Sequence, residues 1–347
     1  MGSMKDVANL AGVSISTVSR VLNKHYRVDD ATRQRVEEAI RTINYRPNLM
    51  AQGLRSKVSN IIGLVVPHLM NESFMFFVNH IEKYARQRGY ILVIGNTEDQ
   101  PETEEQFIDS LIRRHVDGII FSRVSDKSRV LRLIDSANIP VVSIDRILEQ
   151  EKIAAVTLDN RKAGRMAAEY LIGLGHRDIA TVTGPLDIGL CRDRYLGFCE
   201  GLAAQGVRFD QDRLFEGTFY FESGIAAVSR FWSQKTFPTA IFAQNDLMAL
   251  GVMKELLQRG IKIPQQVSVM GFDNIPAGSM IVPALTTVAQ PYEDMARVAV
   301  DLLVNDNGQT PKRHVKFDPS LIIRETTAGP GPAQGSPTHK GEARHEN

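Results

Sequence analysis

"VSISTVSRVLN", running from Val13 to Asn23, threads four hydroxyl side chains and one arginine through just enough valine and leucine to make a helix. Val18, Val21 and Leu22 recur at helical spacing and form its inner side, and Ser14 is placed to cap its first turn. The outer side then carries Ile15, Ser16, Thr17, Ser19, Arg20 and Asn23. Serine and threonine weaken helix interiors by competing for backbone hydrogen bonds, so gathering them on one exposed face implies a partner that uses them.

Upstream, Val7, Leu10 and Ala11 share a helical face until Gly12 breaks the run. Downstream, Asp29 is suited to cap a third helix that keeps Val36, Ala39, Ile40 and Ile43 inside and stops before Pro47. Three short helices, the first two joined by a tight glycine turn, make a helix-turn-helix. Hydroxyls and an arginine fork are the groups that read base edges in the major groove and hold phosphates. The plainer alternative is a small bundle whose hydroxyls only cap and solvate.

Charge supports the first reading. Of the chain's 347 residues, the first 57 carry ten lysines and arginines against five acids, a net of +5, within a total of only +1. A basic head on a mildly acidic body suits a polyanion bound at one end. The rest of the composition, 43% hydrophobic and 23% charged, is that of an ordinary globular protein. Cys191 and Cys199 have no metal or redox spacing and read as core thiols in a reducing compartment. No apolar run reaches membrane-spanning length and no signal-peptide core is present, so export and membrane insertion are not expected.

From Asn60 onward apolar runs alternate with helical stretches. "NIIGLVVP", "YILVIGN", "VDGIIFS" and "IPVVSID" read as one series of buried parallel strands, and "AAVTLDN", "DIATVTGP", "TAIFAQND" and "VSVMGFD" as a second. Repeated βα units at this spacing predict doubly wound α/β layers. Ligands in such sheets bind at the carboxyl ends of the strands. Four of these runs end in polar pairs: Asp145-Arg146, Asp159-Asn160, Asn245-Asp246 and Asp273-Asn274. Any one pair reads as turn chemistry or a helix cap. Four of them at one edge suit a polyhydroxylated ligand gripped by side-chain forks.

"MKDVANLAGVSISTVSRVLN" followed by "INYRPNLMAQGLRSKVSNIIGLVVP" closely resembles the LacI/GalR family of bacterial transcription regulators, and the likeness runs to about Thr327. It implies an all-α helix-turn-helix head on an α/β body like a periplasmic binding protein, built of two doubly wound parallel-sheet subdomains. On the family pattern the head is 1–47, a hinge helix 48–58 and the effector-binding and dimerisation body 59–327. Subdomain 1 is about 60–158 plus 288–320, and subdomain 2 about 159–287 plus 321–327. Residues 328–347, rich in glycine and proline, are expected to be disordered.

The resemblance also implies roles. Ile15 and Ser16 take the main base-reading positions and Arg20 reaches a guanine, while Ser14, Thr17, Ser19, Asn23 and Tyr45 hold phosphates. Leu54 and Arg55 enter the minor groove from the hinge, with Leu54 wedging a base step. Gly53 departs from the pattern and weakens that short helix by about 1 kcal/mol relative to alanine. Effector contacts fall on Asp145, Arg194, Asn245 and Asp273. Phe74 and Phe219 sit where relatives place rings against the ligand, although each also reads as core. Asp159 and Asp246 either brace the cleft or touch ligand, and Arg192 either reaches an acidic effector or is solvated. "NESF" at Asn71–Phe74 replaces the family's "NPFF" and alters the first loop of the cleft.

An enzyme is a poor fit, because no phosphate loop, zinc helix or nucleophile elbow is present and the histidines are scattered. A cytoplasmic sugar- or nucleoside-binding protein acting as a sensor or activator would not need the basic head. The expectation is a bacterial, cytoplasmic and nucleoid-associated repressor. It would act as a homodimer on pseudo-palindromic double-stranded operator DNA, without a cofactor, under a small-molecule effector. A sugar or sugar derivative comes first for that effector and a purine or nucleoside second.

Overall fold

Helix α1 (Met4–Ala11) opens on a reciprocal cap: Ser3 Oγ accepts from the Asp6 amide at 3.2 Å, and the Asp6 carboxylate accepts from the Ser3 amide at 2.8 Å. Helix α2 (Ile15–Leu22) starts at Ser14, whose hydroxyl accepts from the Thr17 amide at 3.1 Å. Asp29 caps α3 (Asp30–Thr42) by accepting from the Thr32 amide at 2.9 Å. The computed structural model describes residues 2–22, 28–45, 58–122, 129–137, 139–146, 153–306 and 313–331. Asn23 and the hinge residues Gly53, Leu54 and Arg55 lie outside these, as do residues 332–347.

The head closes on Val7, Ala8, Ala11, Val18, Val21, Val28, Val36 and Ala39. Ile40 and Ile43 pack at its margin. The expectation for Leu10 is overturned: it is 55% exposed. The buried stripe of α1 runs through Val7, Ala8 and Ala11, and at about 100° per residue Leu10 falls well to one side of it.

Residues 61–331 contain two six-stranded sheets. The first is made of β1 (Ile61–Val66), β2 (Ile91–Asn96), β3 (Gly118–Phe121), β4 (Val141–Ile144), β5 (Ala154–Leu158) and β11 (His314–Phe317), in the order β11-β5-β4-β3-β1-β2. The second holds β6 (Ile179–Thr183), β7 (Leu214–Glu216), β8 (Ala240–Ala243), β9 (Ser268–Asp273), β10 (Thr286–Ala289) and β12 (Ser320–Ile322), in the order β12-β10-β9-β8-β6-β7. Strand β12 runs antiparallel to β10; the other ladders are parallel. One correction concerns "AAVTLDN": β5 does not open the second series but pairs with β4 in the first sheet, Val142 opposite Ala154. The chain therefore passes between sheets after β5, after β10 and after β11.

Helices cover both faces of each sheet, as parallel strands require. They include α4 (Glu72–Gln87), α5 (Pro101–Arg113), α6 (Val130–Ala137), α7 (Asn160–Gly173), α8 (Gly189–Ala204), α9 (Phe221–Trp232), α10 (Asp246–Gln258), α11 (Pro276–Met280) and α12 (Tyr292–Val304). The first residue of the segment expected to be disordered is instead held in place: the Ala328 amide donates to Ser268 Oγ at 3.0 Å, and the Ala328 carbonyl lies 2.8 Å from His176 Nε2.

Candidate functional site

The outer face of α2 presents the residue types that DNA contact needs. Ile15 is 49% exposed. Ser14, Ser16 and Arg20 are exposed, and Thr17, Ser19 and Tyr45 are half-buried. Ser14 Oγ lies 2.7 Å from Ser16 Oγ and 2.9 Å from Thr17 Oγ1, so these hydroxyls are held in one cluster at the helix start. Arg20 stands in the last turn of the helix.

The second candidate site is the carboxyl edge of the two sheets. There the four polar pairs resolve into different jobs. Asp159 caps α7 by accepting from the Lys162 amide at 2.9 Å, while Asn160 Oδ1 accepts from Arg194 Nη2 at 2.7 Å. Asn245 caps α10 through the Met248 amide at 2.9 Å, and its Nδ2 donates to the Phe219 carbonyl at 2.8 Å. Asp246 braces the edge, accepting from Thr287 Oγ1 at 2.7 Å and the Ile275 amide at 2.8 Å. Asn274 Oδ1 accepts from Arg324 Nη2 at 2.6 Å.

Asp145 and Asp273 remain nearest to ligand chemistry. Burial pushes the Asp145 carboxyl up to about 6, against the pull of Arg146 and Arg194. Burial also raises Asp273, opposed by Arg194 and by hydrogen bonds. Asp273 Oδ1 accepts from Gln290 Nε2 at 2.7 Å and from the Tyr292 hydroxyl at 3.1 Å. That hydroxyl is also 3.1 Å from Ser73 Oγ on α4, which ties the two sheets together. Gln290 and Tyr292 carry no motif, and Ser73, although within "NESF", has no role of its own in that pattern, so none of the three is legible as a site residue.

Three expected effector residues hold left-handed backbone: Asp145 at φ 68°, Phe219 at φ 69° and Asp273 at φ 114°. Such angles are rare for side chains of this size and persist where the surroundings enforce them, commonly at binding sites. Phe219 is seated on Gly184, where a methyl group would meet its Cζ at 2.4 Å. A small open recess between the two sheets is lined by His68, Phe74, Asp99, Arg146, Phe219 and Tyr220, among others. Phe74 serves both readings: it lines this space and belongs to the core of the first sheet.

Arg194 is 3% exposed and already committed. Its Nε donates to Asn160 Oδ1 at 3.2 Å, its Nη1 to the Gln244 carbonyl, and its Cζ lies 3.3 Å from the centre of the Phe272 ring. Cys191 is buried and its thiol pushed up to about 12 by that burial, while Cys199 is half-buried. Among the described residues no group of histidine, cysteine and acidic side chains is placed to hold a metal, and no helix is long and apolar enough to cross a membrane.

Residues 3–48 match the model of bacterial regulatory proteins of the lacI family, and residues 168–327 that of a periplasmic binding protein-like domain. Over 329 residues the chain is 33% identical to the HTH-type transcriptional repressor PurR of Vibrio parahaemolyticus serotype O3:K6, covering 94% of this chain and 98% of the relative. The chain belongs to the LacI family. It is a DNA-binding transcriptional repressor of the LacI/PurR type. Among solved structures this LacI-family chain is similar to the lac repressor dimer bound to operator and the anti-inducer ONPF, with a TM-score of 0.86 at 30% identity over 94% of this chain and 99% of that one. It is similar also to the transcriptional regulator CelR in complex with cellobiose, with a TM-score of 0.72 at 30% identity over 94% of this chain and all of that one.

Proposed function

We propose that a small-molecule effector, bound at the facing carboxyl edges of the two sheets, sets the operator affinity of this repressor, which acts as a homodimer on pseudo-palindromic DNA. One observation carries the reading. Ser122 Oγ, Thr183 Oγ1, both side-chain atoms of Gln244 and Gln290 Oε1 are buried and find no hydrogen-bond partner among the described residues. These residues follow or end β3, β6, β8 and β10, at the edge where doubly wound sheets take ligands. Buried polar atoms without partners are costly, and a mixed set of donors and acceptors matches hydroxyl-rich molecules. A sugar or sugar derivative is the first choice for the effector. A purine is the second reading, favoured by the Phe74 and Phe219 rings at one space and by the PurR relatives.

The head supplies the readers: Ile15, Ser16 and Arg20 for base edges, with Ser14, Thr17, Ser19, Asn23 and Tyr45 on phosphates and Leu54 and Arg55 in the minor groove. Two heads on a twofold body bind a pseudo-palindrome with linked affinity. The effector acts through its differential affinity for the two arrangements of the sheets. Gel shifts on palindromic duplexes, repeated with each member of a sugar and nucleoside panel that raises the melting temperature, test the reading. A compound that shifts both melting and operator affinity supports it. Operator binding indifferent to every compound that stabilises the body overturns it.

A further inference from the structure

We infer that the effector carries an anionic group, a phosphate or a carboxylate, that docks on Arg146 between Phe74 and Phe219. This deepens the effector reading above and rests on it. Two arginines are buried at the cleft, and they differ in what their donors do. Arg194 spends its guanidinium on Asn160, the Gln244 carbonyl and the Phe272 face. Arg146 is 8% exposed, yet its Nε and Nη1 have no hydrogen-bond partner among the described residues. Its nearest carboxylate is Asp99, with Oδ1 3.6 Å from Nη1 and the Asp99 side chain 46% exposed. That is well beyond the ~2.7–2.9 Å of a charge-assisted hydrogen bond.

The guanidinium is also held in place. The Arg146 carbonyl accepts from Ser143 Oγ at 3.0 Å and its amide donates to the Ile144 carbonyl at 2.8 Å, which fixes the base of the side chain. Its Cζ lies 5.6 Å from the centre of the Phe74 ring and 5.7 Å from that of Phe219, one ring from each side of the cleft. These rings attract the cation and shield it from water without supplying a counter-charge. His68, Asn71 and Tyr220 bring further polar groups to the same space. A buried guanidinium with spare donors is costly until an anion completes it. A neutral sugar or base accepts from these donors but supplies no counter-charge to the buried cation.

The test is isothermal titration of the full-length chain with matched probes: a hexose, its phosphate ester and its aldonate, and a nucleoside with its monophosphate. The expected result is that an anionic probe binds about tenfold or more tightly than its neutral counterpart. The phosphate and aldonate arms then identify which anion is preferred. Arg146→Met should weaken the favoured anion to the level of the neutral probe, and Arg146→Lys should restore part of the difference. A neutral probe that binds as tightly and alters operator affinity, or an anion indifferent to Arg146→Met, overturns the inference while leaving the effector reading intact. If Arg146→Met does not fold, the matched pairs on the unsubstituted chain decide alone. Failure of every probe to bind removes both.

Discussion

Gly164 on α7 lies so close to Arg194 on α8 that a methyl group in its place would meet the Arg194 carbonyl oxygen at 2.0 Å. The approach is reciprocal, since Gly197 meets the Arg161 carbonyl at the same distance. Backbone contact of this kind sets where Arg194 leaves its helix, and so where its guanidinium meets Asn160 and Phe272. Gly164→Ala should destabilise the body by about 1–3 kcal/mol or more through overpacking. A melting temperature unchanged by that substitution would show that the helices slide apart without cost.

Asp145 gives a pH-dependent prediction. Its folded value of about 6 lies above the ordinary 3.8, so the fold prefers the protonated acid. The unfolded chain gives up its proton first, stability is lost as pH rises between those values, and the penalty is full above about 6. Asp145→Asn should therefore stabilise the ligand-free protein, and by about 2–4 °C more at pH 7.5 than at pH 5. Equal increments at both values would remove the burial argument.

His176 carries the opposite sign. Its ring is enclosed by Thr239, Ser268 and the Ala328 carbonyl, and burial lowers its basicity below the usual 6.5. On acidification through 6.5 the unfolded chain takes up the proton before the folded one, so the contribution present at neutral pH is lost. Melting curves from pH 7.5 to 5.5 should fall more steeply for the native chain than for His176→Gln. Parallel curves would acquit the histidine.

The head should show the salt dependence of counterion release, with operator affinity falling linearly on a log–log scale. Arg20→Ala should weaken the cognate operator by about ten- to hundredfold while changing non-specific duplex binding much less. A uniform loss on all sequences would reassign Arg20 to the phosphates. Competition gel shifts at two salt concentrations separate the two outcomes.

Eight strands were legible because each is a contiguous apolar run. The four that were not are short or polar: "LFE" of β7, "TTVA" of β10, "HVKF" of β11 and "SLI" of β12. Threonines buried in β10 and half-exposed edges in β7, β11 and β12 leave no hydrophobic signal. Membership of β5 in the first sheet depends on pairing with β4 and β11, which no local pattern encodes. Asp145, Phe219 and Asp273 were visible as residue types at strand ends, but their left-handed backbone was not. Neither was the division of labour between Arg146 and Arg194, because the groups that consume the Arg194 donors lie 34 and 50 residues away along the chain.

Between β11 and β12 the polypeptide leaves one sheet and joins the other across Asp318 and Pro319 alone, and Lys162 Nζ fastens Asp318 Oδ1 at 2.8 Å. Two residues, one of them with its φ locked, offer almost no slack. Of the three strand-to-strand connections that join the halves of the body, this one has the least length to yield, so any rocking of one half against the other is most restrained here.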